Sequence, residues 1–249
     1  MRGLMLTSEL VACVQRFEPD PGVQPGTVPL AEEDYESILG CLLATRPLGP
    51  LWLFAYGSLI WKPEVTHAEE RVATAPGWHR AFCLKLLRWR GTPERPGLMM
   101  ALDRGGSCKG VIYRLPEEGL REQLSKLLRR EMSVKWLPDG GRPVTTNAVR
   151  WISVTCGKEA ISAVAFVANP NGGAYAGKLG LEDVARTLAT AAGHWGSCAE
   201  YLRNTVIHLE SRGIRDGNLW RLQKLVAAEI ATSRKTGRLR SNPGRHTER

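Results

Sequence analysis

Nowhere does the chain hold the roughly 18 uninterrupted apolar residues that crossing a bilayer requires. The early apolar run from Gly3 to Val14 is broken by Ser8 and Glu9, so neither a membrane span nor a secretion leader is expected. The six cysteines, Cys13, Cys41, Cys83, Cys108, Cys156 and Cys198, include no C-x-x-C pair. That spacing excludes a zinc framework and a small disulfide scaffold, and reduced, mostly buried thiols in a cytosolic protein are expected instead. His67, His79, His194, His208 and His246 show no H-E-x-x-H or other metal-ligand spacing, and no serine sits in a G-x-S-x-G elbow. Spacing therefore points to no metal site and no covalent nucleophile, leaving only a triad assembled in space. A repeated βαβ pattern is also missing.

What is present suits one large domain or two small ones: 249 residues, 43% hydrophobic and 24% charged. The net charge of +9 raises the question of nucleic acid, so its location matters. From Ser233 onward, Arg234, Lys235, Arg238, Arg240, Arg245 and Arg249 face only Glu248, which places +5 in the tail and leaves +4 for the other 232 residues. A short basic tail containing Gly and Pro reads as disordered and solvated. No basic face emerges from the periodicity of the body, and no specific nucleic-acid partner is expected.

Four prolines between Pro19 and Pro29 mark an extended linker rather than an element. Ala31 to Thr45 then places Tyr35, Ile38, Leu42 and Leu43 near helical spacing and stops at Arg46-Pro47. Residues 1–49 are thus expected to be an N-terminal extension, residues 50–232 the main domain and residues 233–249 the basic tail. Short apolar or alternating stretches at 51–56, 78–87, 98–102, 110–115, 149–155 and 162–167 read as strands. One helix interrupts them after Leu115-Pro116, with Glu117 and Glu118 at its start. Helices near 182–192, 197–212 and 216–232 close the chain, with a capping box at Ser197 and Glu200 and a cap at Asp216. Strands first and helices afterwards argue for α+β around a small mixed barrel or sheet with flanking helices.

Three features carry candidate chemistry. In the interrupting helix, Leu120, Leu124, Leu127 and Leu128 form the apolar stripe, and Glu131 follows at helical spacing on the same face. Its carboxylate is expected to point inward. Burial and the negative end of the helix dipole would then both raise its pKa, unless Arg129 or Arg130 neutralises it. Second, the apolar strand Phe54-Ala55-Tyr56 runs into Gly57-Ser58-Leu59-Ile60, where a glycine lets backbone approach a ligand and successive N–H groups can hold an anion, although a plain strand-ending turn reads the same way. Third, Gly172 to Lys178 has the G-x-x-x-x-G-K spacing of a phosphate loop, but Leu179 stands where the Mg²⁺-holding hydroxyl belongs. A shaped loop is the preferred reading there.

Taken together, Tyr56-Gly57-Ser58-Leu59-Ile60-Trp61, Arg129-Arg130-Glu131-Met132 and Ser197-Cys198-Ala199-Glu200-Tyr201-Leu202 resemble the ChaC-type gamma-glutamylcyclotransferases, a family that degrades glutathione. Gly91 to Gly97, Gly110 to Leu115 and Gly213 to Asp216 are similar to the same pattern, in the same order, over residues 51 to 232. The resemblance implies a compact barrel-like α+β fold, a cytoplasmic location, no cofactor, and cleavage of glutathione into 5-oxoproline and cysteinylglycine. It places Glu131 where the family has its catalytic glutamate. It also places Tyr56, Gly57, Ser58, Leu59 and Ile60 in the loop that holds the glutamyl group, and makes Tyr175 a pocket-lining residue. One departure stands out: the family usually has Gly and Tyr before a Pro after this glutamate, whereas Ser133 to Pro138 intervenes here, with Trp136 as the candidate replacement aromatic.

That chemistry needs few side chains, because the substrate's α-amine attacks its own γ-carbonyl and closes a five-membered lactam. Holding the substrate bent is worth up to about 7–11 kcal/mol. A glutamate near pKa 4.3 is mismatched to an amine near 8 by about 3.7 units, roughly 5 kcal/mol, and burial closes much of such a gap. Glu131 is therefore expected to act as general base and then general acid, in a monomeric or loosely associated protein whose partner is glutathione. The alternatives are the same cyclisation on other gamma-glutamyl amines or peptides, and a non-catalytic binding protein of the same fold.

Overall fold

The computed structural model describes residues 3–138 and 141–236. In chain order its elements are α1 (Ser8–Ala12), β1 (Thr27–Pro29), α2 (Glu32–Ala44), β2 (Trp52–Ala55), a 3₁₀ turn (Ser58–Ile60), β3 (Glu69–Leu86), β4 (Gly97–Arg114), α3 (Leu120–Glu131), β5 (Val134–Trp136), β6 (Val144–Thr145), β7 (Asn147–Cys156), β8 (Glu159–Ala168), α4 (Leu181–Leu188), β9 (Ala192–Gly193), β10 (Gly196–Ser197), α5 (Cys198–Ser211) and α6 (Gly217–Lys235). Five strands close a barrel in the order β2-β4-β3-β7-β8. Closure is made by parallel pairing of β2 with β8, Trp52 opposite Ala163 and Leu53 opposite Val164. The fold is thus α+β with a small closed barrel, and helices dominate its last third.

Two 18-residue strands, β3 and β4, form the long hairpin of the barrel. Their sequences read as shorter pieces because Gly77 and Gly105-Gly106 resemble turns. All three adopt positive φ, but the pairing continues past them, from Pro76 opposite Ser107 to Trp78 opposite Arg104. The glycines make a bulge, and a bulge bends a strand pair enough to wrap a narrow barrel.

The helix after β4 begins at Leu120 rather than at Glu117, because Gly119 takes positive φ and the Glu117 carboxylate pairs with Arg46 across the surface. Its stripe is buried as the spacing requires: Leu120, Leu124, Leu127 and Leu128 all lie in the core. In α5 the Ser197 hydroxyl accepts the Glu200 N–H at 3.1 Å, whereas the Glu200 carboxylate turns away to Arg90. Asp216 caps α6 by accepting the Leu219 N–H at 3.0 Å. That helix runs on to Lys235, so the first residues of the basic segment are helical. The rest of that segment, 237–249, lies outside the described residues.

Residues 6–42 contribute Leu6, Val11, Val14, Leu30, Tyr35, Leu39 and Leu42 to the same core as the barrel. Within the proline-rich stretch, β1 pairs antiparallel with β5, and β5 with β6. A strand forms there despite Pro29 because β1 lies at the edge of this three-stranded sheet and Pro29 ends it. Among the described residues, no helix is long and apolar enough to cross a membrane, and no group of His, Cys, Asp and Glu is arranged to hold a metal ion. The six cysteines carry free thiols.

Candidate active site

β2 is buried along its whole length, and where it leaves its ladder with β4 at Ala55 the chain enters the turn Tyr56–Ile60. In this turn the Ile60 N–H reaches the Gly57 carbonyl at 2.9 Å and the Trp61 N–H reaches the Ser58 carbonyl at 3.1 Å. The earlier N–H groups of such a turn precede its first internal bond and have no partner within it. The Ser58 N–H faces the hydroxyl of Tyr201, on α5. The approach is close: a Cβ on Gly57 would lie 2.9 Å from the Tyr201 oxygen and 3.1 Å from Cε of Met100. Trp61 fastens the far end of the turn to α5, with its ring 5.5 Å from those of Tyr201 and His208.

Glu131 is the last helical residue of α3, and its side chain keeps 19% of its exposure. Burial raises its pKa; the Arg130 guanidinium opposes that rise and Glu64 reinforces it. Arg130 Nε lies 3.1 Å from Oε1 of Glu131, while Nη2 donates to Ser58 Oγ at 3.3 Å and Nη1 donates to the Lys62 carbonyl. Arg130 thus ties the carboxylate and the turn into one unit. The Glu131 charge in turn raises the pKa of Tyr56 and Tyr201, both already raised chiefly by burial. Both tyrosines stay protonated and offer O–H donors toward a carboxylate or oxyanion.

The end of α3 is held from three sides. Asn147 Nδ2 donates to the Glu131 carbonyl at 2.9 Å, the Tyr35 hydroxyl to the Met132 carbonyl at 2.9 Å, and the Leu30 N–H to the Ser133 carbonyl at 3.1 Å. Two of these donors, Tyr35 and Leu30, flank Asp34, which pairs with Lys135 at 2.5 Å. The first two bonds satisfy carbonyls that a helix C-terminus leaves without partners, and the third continues the β1–β5 pairing. The segment after Glu131 is therefore where residues 27–35 dock. Trp136 lies in it, its ring against Gly26 and Gly173.

Of the residues singled out from sequence, Tyr56, Gly57, Ser58 and Glu131 come together around Arg130 and Tyr201. Leu59 and Ile60 are buried beneath the turn. Tyr175 is held differently: its hydroxyl donates to Asp103 Oδ2 at 2.9 Å, and its ring packs in a small separate cluster with Cys83, Leu84 and Ala101. Burial and the Asp103 carboxylate push its pKa up to about 12. The phosphate-loop look-alike that contains it extends the sheet instead, Tyr175 bridging Leu84 while the Lys85 N–H bonds the Ala174 carbonyl at 2.8 Å. Arg130, read from sequence only as a neutraliser, and Tyr201, read only as part of a motif, are the site residues sequence reasoning undervalued. Their inward faces depend on α3 and α5 meeting the turn, which periodicity alone does not supply.

The ChaC-like protein family model matches residues 51–229. The glutathione-specific gamma-glutamylcyclotransferase of Escherichia coli (strain K12) is 36% identical over 217 residues, 84% of this chain and 87% of that protein. Glutathione-specific gamma-glutamylcyclotransferase 1 of Mus musculus is 32% identical over 154 residues, 61% of this chain and 66% of that protein. Among solved structures, a gamma-glutamyl cyclotransferase specific to glutathione from yeast superposes with a TM-score of 0.62 at 20% identity, covering 72% of this chain and 96% of that one. That likeness is one of fold.

Proposed function

The chain belongs to the family of ChaC-like proteins, and on that premise we propose that it cyclises the gamma-glutamyl group of glutathione, releasing 5-oxoproline and cysteinylglycine. One observation supports this reading above the others: a mostly enclosed carboxylate, Glu131, is joined through Arg130 to the turn that follows Tyr56. In the proposed reaction Glu131 takes a proton from the substrate ammonium. The freed amine attacks the γ-carbonyl and the ring C–N bond forms; the attacking nitrogen then gives up a second proton as the bond to the cysteinyl nitrogen breaks, so that both protons, relayed through Glu131, end on that nitrogen, which leaves as an ammonium. The Tyr56 and Tyr201 hydroxyls and the N–H groups of the turn are the donors available to the developing oxyanion.

The substrate assignment is tested by incubating the purified protein with glutathione and, separately, gamma-glutamyl-alanine, with 5-oxoproline quantified by mass spectrometry. Glutathione is expected to be the better substrate by kcat/KM. Preference for gamma-glutamyl-alanine would move the assignment to gamma-glutamyl amines in general, and no 5-oxoproline from either would remove the enzymatic reading.

Arg130 supplies a second expectation. Because its guanidinium lowers the pKa that burial raises, Arg130→Met is expected to move the acidic limb of the kcat/KM profile to higher pH, since the base must be deprotonated to act. A profile from pH 5 to 9 checks this. An unmoved acidic limb would show that Glu131 does not set it.

A further inference from the structure

Arg80, on β3, has a side chain only 2% exposed, and all of its hydrogen-bond partners lie far away in sequence. Nε donates to the Tyr56 carbonyl at 2.7 Å, Nη2 to the Lys109 carbonyl at 2.5 Å, and Nη1 to Oδ2 of Asp216 at 3.0 Å. Asp216 is the cap of α6: its other oxygen, Oδ1, accepts the Leu219 N–H. The Cys108 thiol lies beside the pair, buried, its pKa pushed up to about 11 chiefly by burial, with Arg80 opposing the rise and Asp216 adding to it.

The Tyr56 carbonyl is the first backbone acceptor beyond the β2–β4 ladder, which ends at Ala55 opposite Val111. A buried carbonyl there needs a donor other than a ladder N–H. A buried arginine in turn needs a counter-charge, and the α6 cap provides one without giving up its capping bond. We propose that Arg80 is a positioning residue for the reaction, holding the first residue of the Tyr56–Ile60 turn in place through the Tyr56 carbonyl, and that Asp216 makes this buried cation tolerable by coupling it to the start of the C-terminal helix. Arg80 contacts the turn's first carbonyl rather than its N–H groups, so it shapes the site without being part of the chemistry. The inference rests on the cyclisation reading for its kinetic consequence and on geometry alone for its structural one.

The test compares the full chain with Arg80→Met and with Arg80→Met/Asp216→Asn. Three quantities are read: thermal midpoint, kcat and KM for 5-oxoproline release from glutathione, and amide hydrogen exchange at residues 57–61. The single variant leaves Asp216 without its partner and is expected to unfold at lower temperature. The double variant removes both charges, keeps an oxygen for the α6 cap, and is expected to recover most of that loss. Both are expected to lose at least about tenfold in kcat/KM, carried mainly by kcat as misplacement of a held substrate requires, and to exchange the 57–61 amides faster.

A double variant with wild-type kcat/KM and wild-type exchange at 57–61 would overturn the proposal. So would exchange that accelerates equally along β3 and β4, because the pair would then be a support of the whole barrel. Should the wild type release no 5-oxoproline at all, the cyclisation reading falls, whereas the exchange rates still decide whether Arg80 holds the turn.

Discussion

Glu131→Gln is expected to lower kcat for 5-oxoproline release by about 10²–10⁴-fold, the usual contribution of a positioned general acid–base group, without lowering the thermal midpoint at neutral pH. The second half of this expectation follows from the sign of the pKa shift. Burial raises the folded-state pKa of Glu131, so ionising this group in the folded protein costs more than ionising it in the unfolded chain. Its contribution to stability is present at low pH and is lost as pH rises through the folded-state value. Glutamine stays neutral throughout. The midpoint of the variant relative to wild type is therefore expected to rise between acidic and neutral pH, which calorimetry on both proteins across that range measures. Arg130 is not stranded by the change, since Ser58 Oγ, the Lys62 carbonyl and Glu64, 3.4 Å away, still hold it. Wild-type turnover in the variant would place the base elsewhere. A large drop in midpoint would make Glu131 the structural counter-ion of Arg130.

The parts of this site that were legible in sequence are those in which local pattern and tertiary packing agree. The leucine stripe of α3 points inward because a 3.6-residue period leaves it one way to face, and Glu131 follows it there. The end of β2 was visible as an apolar run breaking at Gly57. Other features depend on contacts that periodicity does not encode. Arg80 meets Tyr56, Lys109 and Asp216 at separations of 24, 29 and 136 residues, and nothing local distinguishes it from a surface arginine on an alternating strand. Glu117 and Glu200 sit where local rules place helix-start acids, yet Arg46 and Arg90 draw both carboxylates away. Gly77 and Gly105-Gly106 carry turn chemistry, and the barrel uses it for curvature. The prolines of 19–29 concealed an edge strand because proline excludes a central strand more strictly than an edge one. Its partner β5 begins three residues after Glu131, so the stretch before α2 and the segment after the carboxylate share one small sheet with β6.

Gly57→Ala is expected to lower kcat/KM by about 10²-fold, the size of effect that about 1 Å of misplacement produces in a held substrate. The added Cβ would stand 2.9 Å from the Tyr201 oxygen and 3.1 Å from Met100 Cε. The methionine end is flexible and can yield. Tyr201 cannot follow as easily, because Trp61 at 5.5 Å, Phe82 at 6.3 Å and the Arg90 guanidinium at 5.6 Å surround its ring. Of the two sides of the contact, then, the turn is the one that moves, carrying with it the N–H groups of Ser58 and Leu59. A double-mutant cycle with Tyr201→Phe isolates this cause, since phenylalanine keeps the ring and deletes only the oxygen that the new methyl would strike. Whatever the hydroxyl itself contributes to catalysis cancels in the cycle. On the Tyr201→Phe background, Gly57→Ala is expected to cost several-fold rather than a hundredfold. Equal costs on the two backgrounds would mean that the methyl acts through some contact other than Tyr201, and the close approach of Gly57 to that hydroxyl would then not be what the turn requires.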